Sequence, residues 1–182
     1  MTIFPTFISL THLIAMLAAG TFLLAAADGA SAKDGVVEVP DALNPDKRSI
    51  LRVVSATGVQ VFTCMRNPAG TTGWILKGPD AQLFDLEDKP AGKHYAGPTW
   101  EGLDGGKVVG EVKTSMPAPV DKAIPWLLLD VKSREGSGAF TRAHAIVRMG
   151  TTGGTAPSDG CVEARAGQEL RVPYTATYVF MK

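Results

Sequence analysis

The strongest constraint on the fold is the lack of any sustained helical pattern after residue 32. No segment there repeats apolar residues with a period of 3.6 over ten or more positions. Short runs of β-branched and aromatic residues recur instead, and glycine, proline or Asp-Gly pairs separate them. Because such turns connect strands that follow one another in sequence, the pattern predicts an all-β fold, either a single antiparallel β-sandwich or a small β-barrel.

The apolar runs locate the expected strands. Residues 49–54 and 59–65 predict a first hairpin around a turn at 55–58, and the very apolar run 126–131 predicts a buried strand. Residues 173–181 alternate in a way that predicts one inward-facing aromatic side. That side carries Tyr174, Ala176, Tyr178 and Phe180. Further strands are expected at residues 72–76, 81–85, 107–115 and 139–149.

The N-terminal segment has the composition of a signal peptide. Residues 1–27 contain no Asp, Glu, Lys or Arg, and Ala30-Ser31-Ala32 matches the A-x-A pattern of a cleavage site. We expect cleavage after Ala32, with the alanines at 25–27 as the alternative site. The predicted organisation is a signal peptide at residues 1–32 and a single all-β domain at residues 33–182. A retained membrane anchor is the alternative, because residues 7–10 extend the apolar run.

If the chain is exported, the protein is secreted or periplasmic. Its cysteines are then in an oxidising compartment, where they form disulfides. The chain has two cysteines, Cys64 and Cys161, and an even pair in an oxidising compartment favours one disulfide. A redox or metal-binding thiol pair is the alternative, but the sequence contains no C-x-x-C motif. We therefore expect a disulfide between Cys64 and Cys161.

The charge balance limits the partners of the chain. Its 18 Lys and Arg residues equal its 18 Asp and Glu residues in number, and no block of like charge occurs. A chain of this kind lacks the basic surface that binds nucleic acid or an anionic membrane. We expect no nucleic-acid partner, and no membrane partner after signal cleavage.

Most candidate functional side chains lie between residues 94 and 110. The Asp104-Gly105 pair in this stretch is typical of a tight β-turn, so we expect a loop from His94 to Trp100 that leads into a strand, a turn and a returning strand. Exposed aromatic side chains stack on sugars or line apolar pockets. The predicted ligand-binding residues are His94, Tyr95, Trp100 and Glu101. Burial of Tyr95 and Trp100 in the core is the alternative.

Six segments of the chain resemble a known family. They are TGVQVFTC (57–64), GKHYAGPTW (92–100), DGGKVVG (104–110), IPWLLL (124–129), TTGG (151–154) and PYTATYVF (173–180). In this order they resemble the exported proteins of bacteria and fungi catalogued as domain of unknown function 3455. The resemblance implies an exported domain without an established activity. Some fungal members are labelled malate dehydrogenases, but this sequence lacks the G-x-G-x-x-G motif and the βαβ alternation of a dinucleotide site.

The sequence contains no catalytic motif, and we expect no metal and no cofactor. A metal site needs three or four ligands, and the only histidines beyond residue 32 are His94 and His144. The serine-nucleophile motif G-x-S-x-G is also absent. Glu101 and Asp104 have the residue types of a glycosidase pair, but the turn accounts for Asp104 by itself.

Three functions are open to such a domain. The first is binding of a small molecule or a glycan through the loop from His94 to Trp100, and the second is a structural or surface-interaction role without a ligand site. The third is a hydrolase-type enzyme that uses His94 with a carboxylate, which requires the two groups to lie within hydrogen-bond reach. Because no catalytic motif is present, the first function is favoured over catalysis.

Overall fold

A closed antiparallel β-barrel of eight strands forms the body of the protein. The computed structural model describes residues 37–182 apart from Ala69. The strands are β1 (Ile50–Arg66), β2 (Thr72–Phe84), β3 (Pro90–Tyr95), β4 (Thr99–Gly102), β5 (Lys107–Met116), β6 (Trp126–Glu135), β7 (Ala145–Gly153) and β8 (Glu169–Met181). Each strand pairs with the next along the chain, and β1 also pairs with β8, which closes the ring. The prediction of an all-β antiparallel fold is confirmed, and the barrel is the form it takes.

Helical structure in the described part of the chain consists of three short 3-10 turns. They are Asp41–Leu43, Phe140–Arg142 and Glu163–Arg165. Within residues 37–182, no helix has the length and apolar character needed to span a bilayer. The predicted signal peptide at residues 1–32 lies outside the described residues, as does the start of the predicted domain. Residues Glu38–Lys182 form one compact unit.

The strands are longer than the sequence predicts. The turn expected at residues 55–58 is wrong, because β1 continues through Gly58, where a Cβ atom would lie 2.2 Å from the carbonyl oxygen of Asp80 on β2. The glycine therefore permits a close approach of two strands instead of a turn. Strand β2 likewise continues through Gly78 and Pro79. Its pairing register with β1 shifts there, so that Lys77 is the extra residue of a β-bulge.

A similar correction applies to the strand expected at residues 139–149. Phe140–Arg142 forms a 3-10 turn, and β7 begins only at Ala145. The Phe140 side chain is buried, and its ring stacks on that of Phe180 with 4.3 Å between the centroids. The segment leaves the extended conformation because Phe140 turns into the barrel and closes one of its ends.

The inward-facing side chains come from alternate positions of every strand. On β8 the predicted aromatic side is buried as expected, with Tyr174, Ala176, Tyr178 and Phe180 all between 0% and 3% exposed. Large rings fill the barrel at the end that Phe140 closes. Toward the opposite end the interior is not completely filled and contains a cavity.

The outer side of the sheet also has a buried row, formed by Leu128, Val147 and Val179 on neighbouring strands. Leu43 in the segment before β1 is fully buried. Arg48 in the same segment forms an ion pair with Asp130 of β6, with 3.5 Å between Nη1 and Oδ1. The ion pair with β6 and the burial of Leu43 show that the segment before β1 packs against the protein instead of extending into solvent.

The predicted disulfide is confirmed. Cys64 near the end of β1 bonds to Cys161 in the connection between β7 and β8, with 5.4 Å between the Cα atoms. Two backbone hydrogen bonds support the link, from Cys64 N to Gln168 O at 2.9 Å and from Gly167 N to Cys64 O at 2.8 Å. The bond therefore lies beside the pairing of β1 with β8 that closes the ring.

Removal of this disulfide should lower the stability of the barrel considerably. The two cysteines are 97 positions apart, and a cross-link over a loop of this length contributes about 4–5 kcal/mol in the chain-entropy model. We expect the double variant Cys64→Ala/Cys161→Ala to lose a free energy of unfolding of this size, measured by urea denaturation. Reduction of the wild-type protein is the control and should cause a similar loss. A loss below about 1 kcal/mol in both would contradict the expectation.

Candidate functional site

The four predicted ligand-binding residues lie on opposite sides of the barrel wall. His94 on β3 pairs directly with Trp100 on β4, and both side chains point inward, where they are 2% and 1% exposed. Tyr95 and Glu101 occupy the following positions and point outward, because successive side chains in a strand alternate between its two faces. The expected loop from His94 to Trp100 is wrong, since only residues 96–98 connect the two strands.

The outward pair forms a contact of its own on the barrel surface. The Tyr95 hydroxyl donates a hydrogen bond to Glu101 Oε2 at 2.7 Å, and Lys93 Nζ lies 3.3 Å from Glu101 Oε1. The hydrogen bond from Tyr95, followed by the contact with Lys93, lowers the pKa of Glu101 below its usual value. The Glu101 carboxylate is thus occupied on the outer surface, on the other side of the wall from His94.

The inward pair belongs to a cavity of about 260 Å³ at the end of the barrel opposite Phe140. All eight strands contribute to its lining. Most of the wall is apolar and consists of Leu76, Pro79, Pro98, Val112, Leu127 and Leu129. The polar side chains in its lining are Gln60, Lys77, His94, Arg148 and Tyr178. An apolar concavity with a few polar groups is the usual form of a small-molecule site.

Three aromatic rings form the inner end of the cavity, which we call the aromatic floor: His94, Trp100 and Tyr178. The rings of His94 and Trp100 stack with 4.3 Å between their centroids, and the ring of Tyr178 meets each of them edge-on at 4.9 and 5.2 Å. Gly110 makes space for the indole, since a Cβ atom there would lie 3.0 Å from Trp100 and 3.1 Å from Leu129. The floor is therefore rigid and closely packed on its far side.

His94 is a neutral imidazole in the folded protein. Its Nδ1 lies 2.8 Å from the carbonyl oxygen of Thr99, which can only accept, so Nδ1–H donates and Nε2 carries the lone pair. Burial lowers the pKa of His94 from 6.5 to about 3, the bond to Thr99 offsets part of this shift, and repulsion from Arg148 adds to it. At neutral pH the ring can accept a hydrogen bond but is a poor general base.

Arg148 and Gln60 bring hydrogen-bond donors to the wall. Arg148 on β7 pairs with Tyr178 on β8, and its Nε and Nη2 donate to the carbonyl oxygen of Pro125 at 3.0 and 2.8 Å. Burial lowers the pKa of the guanidinium somewhat from its usual value. Gln60 on β1 is 2% exposed, and its Nε2 has no hydrogen-bond partner among residues 37–182. An unpaired buried donor costs free energy. A ligand in the cavity that accepts a hydrogen bond from Gln60 would remove this cost.

The sequence contained a signal for both residues that was overlooked. Gln60 has the same strand parity as the inward Val54 and Ala56, and Arg148 has the same parity as the inward Ile146. A polar residue at an apolar position of the alternation marks a polar group inside the barrel.

The remaining candidates lie elsewhere. His144 is exposed next to the start of β7, and its backbone N–H bonds to Met181 O. No group of three or more potential metal ligands occurs in the part of the chain that the structure describes. Nor does any Asp or Glu of the described residues line the cavity.

A family model described as "Protein of unknown function (DUF3455)" matches residues 45–182. The chain belongs to this family. The DUF3455 match includes all eight strands, both cysteines and every residue of the cavity lining, so the barrel with its cavity is the family domain. The resemblance noted from the sequence is confirmed. No curated protein and no solved structure matches the chain.

His94 should make the barrel sensitive to acid. Its pKa is about 3 in the folded state and 6.5 for an ordinary histidine, so between these values the unfolded chain binds more protons. The contribution of neutral His94 to the free energy of unfolding is fully present above about pH 6.5. As the pH drops toward 3, this contribution falls by up to about 1.4 kcal/mol per pH unit. Urea denaturation at a series of pH values should show a smaller slope for His94→Phe than for the wild type. His144→Phe, at an exposed site, is the control, and equal slopes for all three proteins would contradict the expectation.

Gln60→Leu should stabilise the ligand-free protein. The change replaces an unpaired buried amide by an apolar side chain of similar size, and an unsatisfied donor costs about 1–3 kcal/mol. We expect the free energy of unfolding from urea denaturation to rise by about 1 kcal/mol. Gln82→Leu, at an exposed position of β2, is the control and should change it by less than about 0.5 kcal/mol. A clear loss of stability in Gln60→Leu would show that the amide supports the fold.

Proposed function

We propose that this domain is a binding protein that holds a small, mostly apolar molecule in the mouth of its barrel. The observation that carries the proposal is the cavity of about 260 Å³ with an apolar wall, an aromatic floor and few polar groups. Eight-stranded barrels have an interior that side chains just fill or that accommodates one small ligand. Here a cavity remains at one end of the barrel, which favours the ligand.

The size of the cavity limits the ligand. A volume of about 260 Å³ is slightly below the range of about 300–1,000 Å³ that is usual for ligand pockets, which favours a small ligand. A single aromatic ring with a short substituent, or an alkyl chain of medium length, is of this size.

A glycan is a weaker candidate than an apolar molecule. Sugars carry hydroxyl groups along their whole length and need many hydrogen-bond partners, whereas most of this wall is aliphatic. The aromatic rings are also packed into the floor instead of forming an exposed stacking surface. The predicted residues Tyr95 and Glu101 point away from the cavity and belong to no part of the proposed site.

Hydrolysis by His94 with a carboxylate also has little support. Glu101, the only carboxylate among the predicted site residues, is bound to Tyr95 and Lys93 on the outer surface. His94 itself donates to a backbone carbonyl and has a pKa far below neutrality, so it lacks both the partner and the basicity for the task. A purely structural role, in turn, leaves the open cavity and the unpaired Gln60 without an explanation.

We also propose that the domain works outside the cytoplasm, in the periplasm or as a secreted protein. The disulfide between Cys64 and Cys161 supports this location, since such bonds persist in oxidising compartments. The signal-peptide composition of residues 1–32 agrees with it.

A bulky side chain at the mouth tests the proposed binding. Val112 lines the cavity and is 51% exposed, so Val112→Trp can obstruct the opening without disturbing the floor. Neutral apolar probes, 1-octanol and 4-methylphenol, should bind the wild type in calorimetric titrations and shift the indole N–H resonance of Trp100. In Val112→Trp we expect affinity to fall about tenfold or more, which is about 1.4 kcal/mol.

Val120 provides the matched control for this experiment. It is 49% exposed and lies in the connection between β5 and β6, away from the cavity lining. Val120→Trp should therefore bind both probes as the wild type does. Absence of binding to the wild type, or equal binding by the two tryptophan variants, would refute the proposal.

A further inference from the structure

The lining of the cavity contains a positive charge, Arg148, that no acidic side chain balances among the described residues. None of the salt bridges within residues 37–182 involves Arg148. The other cation at the mouth, Lys77, is already paired with Glu169, with 2.7 Å between Nζ and Oε1. Arg148 is therefore the charge that a ligand in the cavity meets.

The neighbouring tyrosines cannot serve as counter-charges. The hydroxyls of Tyr174 and Tyr178 lie 3.4 Å apart in the barrel interior, and burial raises the pKa of both above the usual value. Both hydroxyls stay neutral at physiological pH. The pKa of His94 is lowered in part by repulsion from Arg148, so the positive charge acts on the aromatic floor as well.

The orientation of Arg148 is fixed while part of its donor capacity stays free. A guanidinium has five N–H groups. The Pro125 carbonyl oxygen accepts from Nε and Nη2, and the Tyr178 hydroxyl is a further hydrogen-bond partner, which still leaves N–H groups free. That carbonyl is neutral, so it holds the guanidinium in place but does not balance its charge. Carboxylates are the groups that a guanidinium binds with two parallel hydrogen bonds.

Gln60 supplies a second donor to the same cavity from a different strand. Its side chain is 98% buried, and its Nε2 has no partner in the described part of the chain. A carboxylate offers two oxygens that only accept, which suits an unpaired amide N–H and a guanidinium together. The rest of the lining, by contrast, is suited to hydrocarbon.

We infer that the cavity selects a small amphipathic organic acid, whose carboxylate binds Arg148 and Gln60 while its apolar body contacts the leucine and proline wall. This inference rests on the proposed function and adds to it the charge and the polarity of the ligand. A carboxylate fits better than a phosphate ester, because the cavity is small and most of its surface is apolar.

A matched pair of ligands tests the selection of charge. Octanoate and octanamide have the same shape and differ in charge, so both are titrated calorimetrically into the purified full-length chain at neutral pH. We expect octanoate to bind about tenfold or more tightly than octanamide, because charge-assisted hydrogen bonds are roughly twice as strong as neutral ones. Arg148→Gln should remove this preference and leave octanamide affinity nearly unchanged.

Two further variants separate a role in binding from a role in folding. Lys77→Gln removes the paired cation at the same mouth and should preserve the preference for octanoate. Gln60→Leu, which is expected to fold at least as well as the wild type, should lower octanoate affinity several-fold. It keeps the inference testable if Arg148→Gln fails to fold.

The outcomes distinguish this inference from the proposed function. Equal affinity of the wild type for octanoate and octanamide overturns the selection of an acid but leaves an apolar binding site. If Arg148→Gln loses affinity for octanoate and octanamide equally, the selection of an acid is also overturned, since the arginine then only anchors the segment at Pro125. If neither ligand binds the wild type, and 1-octanol and 4-methylphenol also fail to bind, the proposed function falls together with the inference.

Discussion

The pairing of β1 with β8 is the contact on which the rest of the structure depends. These two strands come from opposite ends of the described chain, and their hydrogen bonds turn a meander of hairpins into a ring. A closed ring has no unpaired edge, and it separates an inside from an outside at every position of every strand. The buried rings, the apolar wall and the cavity exist only because this seam is closed, and the disulfide fastens the chain beside it.

The fold class could be predicted because it depends on local periodicity, whereas strand lengths and the site depend on contacts between distant strands. Gly58 and the Gly78-Pro79 pair have the composition of turns, yet they mark a close strand approach and a bulge inside continuous strands. Their meaning is set by the partner strand, which the local sequence does not specify. The disulfide was predictable on other grounds, since it followed from the even number of cysteines and from the export that the N-terminal composition led us to expect.

The residues of the candidate site likewise could not be predicted from local sequence alone. His94, Tyr95, Trp100 and Glu101 are close in sequence, but the two-residue period of a strand divides them between the inside and the outside of the wall. Gln60 and Arg148 are far apart in sequence and reach one cavity through the closure of the ring. Both depart from the apolar pattern of their strands, and natural proteins tend to concentrate such departures at functional positions.

The stacked rings of Phe140 and Phe180 make the two ends of the barrel different. Because these rings close one end and the other end is open at the mouth, the barrel is a cup and not a tube. Under the proposed function a ligand therefore enters and leaves through the same mouth, and the water that it displaces leaves by that route as well. Such a barrel can hold a molecule but offers it no passage from one end to the other.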